Sequence, residues 1–154
     1  MTILDKLLTV DRLKKWGFDI NENCVLCKQE QETRDHIFSE CSYSKAIWKE
    51  VLSMCGLQRD ITSWNDELKW AILKLKGKSL ITLLIRIGWN AFIYNIWQEN
   101  NIRIFKKEAA KEQIIECIKE AVKYRLARLK RIAVDPINTS LHRSWGLLDS
   151  IFVS

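Results

Sequence analysis

The chain has 154 residues and a formal net charge of +6, with 47% apolar and 29% charged residues. This balance is typical of a folded globular domain and excludes collagen-like, low-complexity and disordered chains. One proline and five glycines are too few for long linkers or many strand-connecting turns, so they favour a mostly α fold. Five cysteines and no secretory signal indicate an intracellular protein, in the nucleus or cytoplasm, whose thiols are free or bind metal.

The first predicted element lies within residues 4–16, where the sequence indicates one or two short helices. Thr9 is suited to cap the N-terminus of this element, and Gly17 is suited to end it. A polar, turn-rich segment follows and contains the first two cysteines. An apolar stripe then predicts a helix over residues 42–54, and Gly56 ends that helix.

The middle of the chain predicts two more helices. One begins after Ser63, which forms an approximate capping box with Asp66, and runs to Gly77. The next is long, over residues 80–106, and is apolar nearly all round in its first half. Gly88 inside this helix costs about 1 kcal/mol relative to alanine and would permit a close helix contact. These patterns predict a helical body with a substantial core.

The most apolar stretch, residues 80–97, approaches the length of a membrane-spanning helix. It contains Arg86, Asn90 and Asn95, which are costly at the centre of a bilayer. We therefore expect a buried helix and no membrane contact.

The last long helix is predicted over residues 109–132, with one apolar face. Asp135-Pro136 ends it, because the residue before a proline disfavours the helical conformation. The tail from there to Ser154 contains large apolar side chains that could dock on the core.

Four potential zinc ligands follow the pattern Cys24-x2-Cys27-x8-His36-x4-Cys41. A Cys-x2-Cys pair supplies two thiolates from one tight turn, and the His-x4-Cys pair supplies the other two ligands of a tetrahedron. Such a closed set leaves no position for a reactive water, so we predict one structural Zn²⁺ and no catalytic residues. Metal binding would stabilise a loop that has few large apolar residues of its own.

Other interpretations of the cysteines remain open. The four residues could be buried apolar side chains with an ordinary histidine among them, and a redox pair is less favoured because no βαβ pattern surrounds the Cys-x2-Cys. Cys55 and Cys117 stand apart and are interpreted as core or free thiols. His142 is isolated in the tail and is interpreted as a surface residue.

Several short motifs occur in a fixed order in the N-terminal third: Thr9-Val-Asp-Arg-Leu-Lys-Lys-Trp-Gly17, Cys24-Val-Leu-Cys27, Glu32-Thr-Arg-Asp-His36-Ile-Phe-Ser-Glu-Cys41 and Ala46-Ile-Trp48. Together they resemble the zinc-binding domain that follows the polymerase in plant non-LTR (LINE-type) retrotransposon reverse transcriptases. The likeness covers about residues 3–52. The chain departs from the usual family pattern at Leu8, where proline is common, and at Asn100-Asn101, where Arg-Asn is common.

The resemblance implies zinc binding and nucleic-acid binding beside a reverse transcriptase. It does not imply an enzyme, because the chain has no Tyr-x-Asp-Asp motif, no recognisable ribonuclease H carboxylates and too few residues for a polymerase. With Met1 just before the first motif, we expect a fragment of a longer element.

Basic residues near the zinc pattern and in the last helix are candidates for nucleic-acid contact. Residues 1–56 carry eight Lys/Arg against nine Asp/Glu, whereas residues 101–131 carry ten against four and so hold the basic excess. Trp16 or Phe38 could stack on an unpaired base, or both could be core residues beside a solvated charged face. The basic candidates are Arg12, Lys14, Lys15, Lys28, Arg34, Lys123, Arg128, Lys130 and Arg131.

The sequence thus predicts a small Cys3His zinc module over residues 1–56 and a helical region over residues 57–154. The expected function is nucleic-acid binding, to RNA or DNA, as an accessory module derived from a reverse transcriptase and possessing no polymerase activity. The expected partners are nucleic acid and a reverse transcriptase. The alternatives are a protein-interaction module and a non-functional retroelement relic.

Overall fold

The structure is a computed structural model that describes residues 7–106, 113–128 and 132–152. A π-helical segment, His36–Glu40, precedes the second helix, and a 3₁₀ turn, Asp149–Ile151, follows the last one. The described ranges contain no strand beyond two isolated bridges, so the predicted mostly α fold is confirmed. The helices are α1 (Val10–Lys15), α2 (Ser42–Met54), α3 (Trp64–Lys74), α4 (Leu80–Lys106), α5 (Ile114–Leu126) and α6 (Pro136–Trp145).

The predicted helices α1 to α4 are all present, and α2 and α4 have the predicted ends, whereas α3 ends at Lys74, three residues before Gly77. Thr9 precedes α1 in extended conformation, and Gly17 has a φ of 88° just beyond its end. The Ser63 hydroxyl accepts a hydrogen bond from the Asp66 N–H at 3.4 Å. The Ser79 hydroxyl accepts one from the Thr82 N–H at 3.3 Å. These caps satisfy donors that the first turn of a helix leaves unpaired.

The C-terminal third differs from the prediction. The helix expected over residues 109–132 ends at Leu126, and residues 127–128 form a turn; residues 107–112 and 129–131 lie outside the described ranges. The prediction that Asp135 ends this helix is wrong, because its carboxylate accepts a hydrogen bond from the Asn138 N–H at 2.8 Å and caps the start of α6. Pro136 begins α6, where its missing N–H has no helical partner to lose.

Helix α4 lies at the centre of the protein and contacts α2, α3, α5 and α6. Gly88 permits its close approach to α2, since a Cβ there would lie 3.2 Å from Val51 Cγ1 and 3.6 Å from the Trp145 ring. By length and composition α4 could also span a membrane, which by itself is weak evidence. In the most apolar 18-residue stretch of α4, 44% of the residues are buried within the protein. The core helix of a soluble protein can have the same length and composition.

A chain of aromatic rings connects the cysteine-containing region to α4. Phe38 of the π-helical segment lies 5.5 Å from Trp64 of α3, between ring centres. Trp64 lies 5.8 Å from Trp89 of α4, whose ring is 4.9 Å from Trp48 of α2. The aromatic core contains residues from both sides of position 56. The predicted division into a zinc module and a helical region at that position remains a prediction.

Candidate metal centre

The first pair of cysteines lies in a tight turn closed by backbone hydrogen bonds. An antiparallel bridge joins Asn23 to Gln31. Within it the Cys24 N–H donates to the Glu30 carbonyl at 2.7 Å, and the Lys28 N–H donates to the Cys24 carbonyl at 2.8 Å. Lys28 has a φ of 61°, a left-handed conformation that reverses the chain directly after the second cysteine.

The second pair of ligands is spaced by the π-helical segment. The Cys41 N–H donates to the His36 carbonyl at 2.7 Å, which is the i to i+5 hydrogen bond of a π-helix. The His36 N–H donates to the Thr33 hydroxyl at 3.1 Å and so begins the segment. The four intervening residues therefore form one wide turn with a ligand at each end.

The structure brings all four predicted ligands together. The sulfur and nitrogen atoms of Cys24, Cys27, His36 and Cys41 all lie within 4.8 Å of one another. The Cys24 and Cys41 sulfurs are 3.9 Å apart, and the Cys27 sulfur is 3.3 Å from His36 Nε2. Zinc bonds of about 2.0–2.3 Å would place tetrahedral ligand atoms roughly 3.5–3.8 Å apart. The cluster thus has the dimensions of a zinc site.

The environment of the sulfurs suits a cation. Cys24 and Cys41 are fully buried, and His36 is 4% exposed. A hydrogen bond from Cys24, together with the Ser44 and Tyr43 N–H groups at the start of α2, lowers the pKa of Cys41 to about 5. The contact with Cys41 and burial raise the pKa of Cys24 above its ordinary value. Ionising both thiols side by side requires a positive charge between them, which a zinc ion supplies.

Three thiolates and one imidazole match the donor set of a structural zinc site, in which every tetrahedral position is occupied by protein. The fold and the site therefore define a helical protein with one Cys3His structural zinc centre. Residues 1–48 match the family model described as zinc-binding in reverse transcriptase, which confirms the zinc-binding part of the resemblance. The match ends at Trp48 within α2 and covers less than a third of the chain. Comparison with curated proteins and with solved structures finds no match.

Glu32 is a buried carboxylate that sequence reasoning did not single out as a site residue. Its Oε1 accepts hydrogen bonds at 3.0 Å from the Val10 N–H at the start of α1 and from Asn100 Nδ2 of α4. Glu32 and Asn100 are both completely buried. Burial raises the pKa of Glu32, because the charged form loses its hydration. This side chain thus joins the segment between the two ligand pairs to α1 and α4.

Arg103 makes a second link from α4 to the metal centre. Its Nε pairs with Glu99 at 2.9 Å, and its Nη1 donates to the Val25 carbonyl, between the first two ligands, at 3.4 Å. The guanidinium also lies 5.0 Å from the ring centre of Tyr43, at the start of α2. The spacing of Arg103 four residues after Glu99 predicts an ion pair on the helix surface. It does not predict a contact with the zinc loop.

The basic candidates near the zinc pattern divide into two groups. Arg12, Lys15 and Arg34 line one cavity of about 420 Å³ together with Asp11 and Asp35. Arg34 pairs with Asp35 at 2.8 Å, and its guanidinium lies 5.9 Å from the Trp64 ring centre. Three cations against two carboxylates leave this cavity with a small positive balance.

The remaining candidates of the module lie outside that cavity. Lys14 is exposed and pairs with Glu22, while Lys28 is exposed on the turn after Cys27. Trp16 is 60% exposed and available for stacking. Phe38 is 2% exposed and packs on Trp64, so the suggestion that it stacks on a base is wrong for this fold.

The candidates of the last helix lie on and just beyond α5. Lys123 pairs with Glu120 at 3.3 Å, as its i, i+3 spacing predicted. Arg128 lies in the turn after α5 and donates a hydrogen bond to the Tyr124 hydroxyl at 2.6 Å. Lys130 and Arg131 lie outside the described residues.

The three residues set aside in the sequence lie away from the metal cluster. Cys55 is buried and its pKa is raised to about 12 by that burial, while Cys117 is half-buried; both are free thiols. His142 differs from the expected surface residue, because it is half-buried, 3.1 Å from Asp149 and 5.0 Å from the Phe152 ring centre. It helps to hold the C-terminal tail against α6.

Proposed function

We propose that the protein is a zinc-stabilised nucleic-acid-binding module derived from a retrotransposon reverse transcriptase of the plant non-LTR type. The zinc ion would hold the loop around Cys24 and Cys41 so that side chains of α1 and the loop face RNA or DNA. With all four positions of the metal filled by protein, the site offers no place for a reactive water, so the proposed role is binding without catalysis. Its partners would be nucleic acid and a reverse transcriptase, inside the cell.

The observation that carries this proposal is the exposed surface at the C-terminal end of α1 and just beyond it, next to the segment that precedes His36. Trp16 and Phe18 are 60% and 56% exposed, although aromatic rings of this size are usually buried. Lys15 is exposed next to Trp16, and Lys15, Arg12 and Arg34 share one cavity. Exposed aromatic rings next to unburied cations are the combination that binds single-stranded nucleic acid through base stacking and phosphate contacts.

A salt titration of binding to labelled RNA and DNA oligonucleotides tests the proposal. We expect the logarithm of the affinity to fall linearly with the logarithm of salt concentration, and we expect Trp16→Ala to weaken binding about tenfold. Lys15→Gln should make the slope of log affinity against log salt concentration (the salt slope) shallower by roughly 0.7–0.9 for each phosphate that this lysine neutralises in the native protein. Lys78→Gln, an exposed lysine between α3 and α4, is the matched control and should bind like the native protein. Absence of binding even at low salt would contradict the proposal.

A protein-interaction module is the second candidate, and a different surface favours it. A groove of about 420 Å³ between α3 and α4 contains no charged residue in its lining. Ile72 on its rim is 44% exposed, and the neighbouring Leu73 is 69% exposed. Apolar grooves of this kind suit protein partners better than phosphates. Failure to bind any oligonucleotide, with a reverse transcriptase retained on the immobilised protein, would favour this candidate.

The third candidate is a genomic relic without a cellular role. It would be favoured by the absence of both transcript and protein in the source organism, whereas detection of the folded protein in cells would argue against it.

A further inference from the structure

A second groove, of about 570 Å³, lies between α4 and α5, outside the residues that match the zinc-binding family. None of its lining residues is a zinc ligand or a nucleic-acid candidate from the sequence. Its lining contains two tyrosines, three side-chain amides and one arginine, and no carboxylate. The lining residues are Ile87, Asn90, Ala91, Tyr94, Asn95, Gln98, Cys117, Ala121, Tyr124 and Arg125.

The two tyrosines present large aromatic surfaces to solvent. Tyr94 of α4 is 56% exposed and Tyr124 of α5 is 63% exposed, so one ring stands on each wall of the groove. The guanidinium of Arg128 lies 4.5 Å from the Tyr124 ring centre and donates to its hydroxyl at 2.6 Å. This contact restrains the Tyr124 ring before any ligand binds, which lowers the entropic cost of stacking on it.

The charge of the groove favours an anionic partner. Arg125 lines the groove, Arg128 lies beside it, and neither pairs with a carboxylate within the part of the chain that the structure describes. By contrast, the lysines of α5 are paired: Lys119 with Glu116 at 3.4 Å and Lys123 with Glu120 at 3.3 Å. Within the described residues, Arg125 of α5 and Arg128 just beyond it are therefore the cations beside the groove that have no carboxylate partner and can contact phosphates.

The amides of α4 supply hydrogen-bonding groups to the groove. Asn90 is exposed and Gln98 is half-buried, and each offers both a donor and an acceptor to the groove. Asn95 is held in place because its Nδ2 donates to the Ala91 carbonyl at 2.8 Å. Rings for stacking, amides for base edges and guanidinium groups for phosphates are the chemistry that recognises unpaired nucleotides.

We propose that the groove between α4 and α5 binds unpaired nucleotides of single-stranded RNA or DNA, as a contact surface separate from the zinc module. The proposal takes its ligand class from the proposed function and assigns a different surface to it. A second copy of this chain or an apolar peptide is the competing occupant. The absence of a carboxylate and the two available arginines favour nucleic acid over either.

Binding of labelled twelve-nucleotide oligo-uridine and oligo-deoxythymidine to the zinc-loaded full chain tests the proposal. Tyr94 also lines the groove between α3 and α4, so Tyr124 is the discriminating position. We expect Tyr124→Ala to weaken binding at least fivefold and Tyr124→Phe, which keeps the ring, to stay within threefold of the native protein. Arg125→Gln should make the salt slope shallower by about 0.7. An oligonucleotide carrying 5-iodouracil should cross-link to Tyr94 or Tyr124 in preference to the half-buried Tyr43.

The outcomes separate this proposal from the proposed function. Weaker binding by Trp16→Ala together with native binding by Tyr124→Ala and Arg125→Gln would overturn the groove and leave the zinc module as the binding surface. Weaker binding by the groove variants alone would support the groove and contradict the role of α1. No binding by the native protein at low salt would overturn both. A change of oligomeric state in Tyr124→Ala with unchanged oligonucleotide affinity would identify a second copy as the occupant and overturn the groove proposal.

Discussion

At the scale of single residues, Glu32 is a buried side chain that helps to attach the zinc loop to the helices. It lies between the two ligand pairs in sequence and accepts hydrogen bonds from α1 and α4 at once. Its Oε2 and the Asn100 Oδ1 have no hydrogen-bond partner within the described residues. Burial therefore disfavours the charged form of Glu32, in agreement with its raised pKa.

Replacing Glu32 by alanine should destabilise the protein by about 2 kcal/mol or more, because two buried donors lose their acceptor. Glu32→Gln keeps a carbonyl oxygen in place and should cost less than half as much. Denaturant unfolding of the zinc-loaded proteins measures both values. Equal losses in the two variants would show that the hydrogen bonds to Val10 and Asn100 contribute little.

The pH dependence of Glu32→Gln should differ from that of the native protein. Because burial raises the pKa of Glu32 above its ordinary 4.5, its contribution to stability is greatest below that value and declines as pH rises through the folded-state pKa. The unfolding free energy of Glu32→Gln relative to the native protein should therefore increase as pH rises above 4.5. Paired measurements at each pH cancel the loss of zinc that both proteins share in acid. A difference that decreases with rising pH would contradict the assignment.

At the scale of elements, Gly88 determines how closely α4 approaches its neighbours. Val51 and Trp145 are both fully buried against it, so neither side chain can move away easily. Gly88→Val should lower the unfolding free energy by about 1–3 kcal/mol through overpacking. Asn90→Val, on the exposed face of the same helix, is the matched control for the β-branched side chain and should cost less than 1 kcal/mol. Because valine is a better helix former than glycine, helix propensity alone would stabilise Gly88→Val. An unchanged or increased unfolding free energy in this variant would therefore contradict the packing argument.

Local patterns predicted the helices up to residue 106 well, because apolar periodicity and the caps at Ser63 and Ser79 are local signals, although α1 and α2 have no side-chain cap. The same reasoning missed α6, since Asp135-Pro136 is both a signal that ends one helix and a signal that begins another. It also extended α5 beyond Leu126, where the apolar repeat continues into a turn. The sequence pattern alone does not show whether Asp135-Pro136 ends one helix or begins another. That depends on how the tail docks on the core.

The zinc ligands could be predicted because their spacing is local, whereas the residues that hold the loop could not. Glu32 meets Asn100 across 68 positions, and Arg103 meets Val25 across 78. No periodicity connects positions so far apart. The π-helical segment is likewise not evident from composition, although its i to i+5 hydrogen bond explains why four residues separate His36 from Cys41.

At the scale of the whole molecule, the metal centre and the helices share one core. The ring chain from Phe38 to Trp89 and the polar contacts of Glu32 and Arg103 connect the zinc loop to α4. Loss of zinc should therefore loosen the helices and not the loop alone, because metal binding contributes directly to folding.

Chelation should lower the melting temperature of the full chain by more than about 10 °C and reduce the near-ultraviolet circular dichroism of its tryptophans. Re-addition of zinc should restore both signals. An unchanged melting temperature in excess chelator would show that the helices fold independently of the metal centre.

The zinc content of the purified protein tests the central claim most directly. From a zinc-replete preparation we predict one equivalent of zinc per chain, measured by elemental analysis and by native mass spectrometry. Cys24→Ser and His36→Ala should lose most of it, whereas Cys117→Ser, which removes a thiol outside the cluster, should retain the full equivalent. Less than about half an equivalent in the native protein would contradict the account, because a closed site of three cysteines and a histidine should fill.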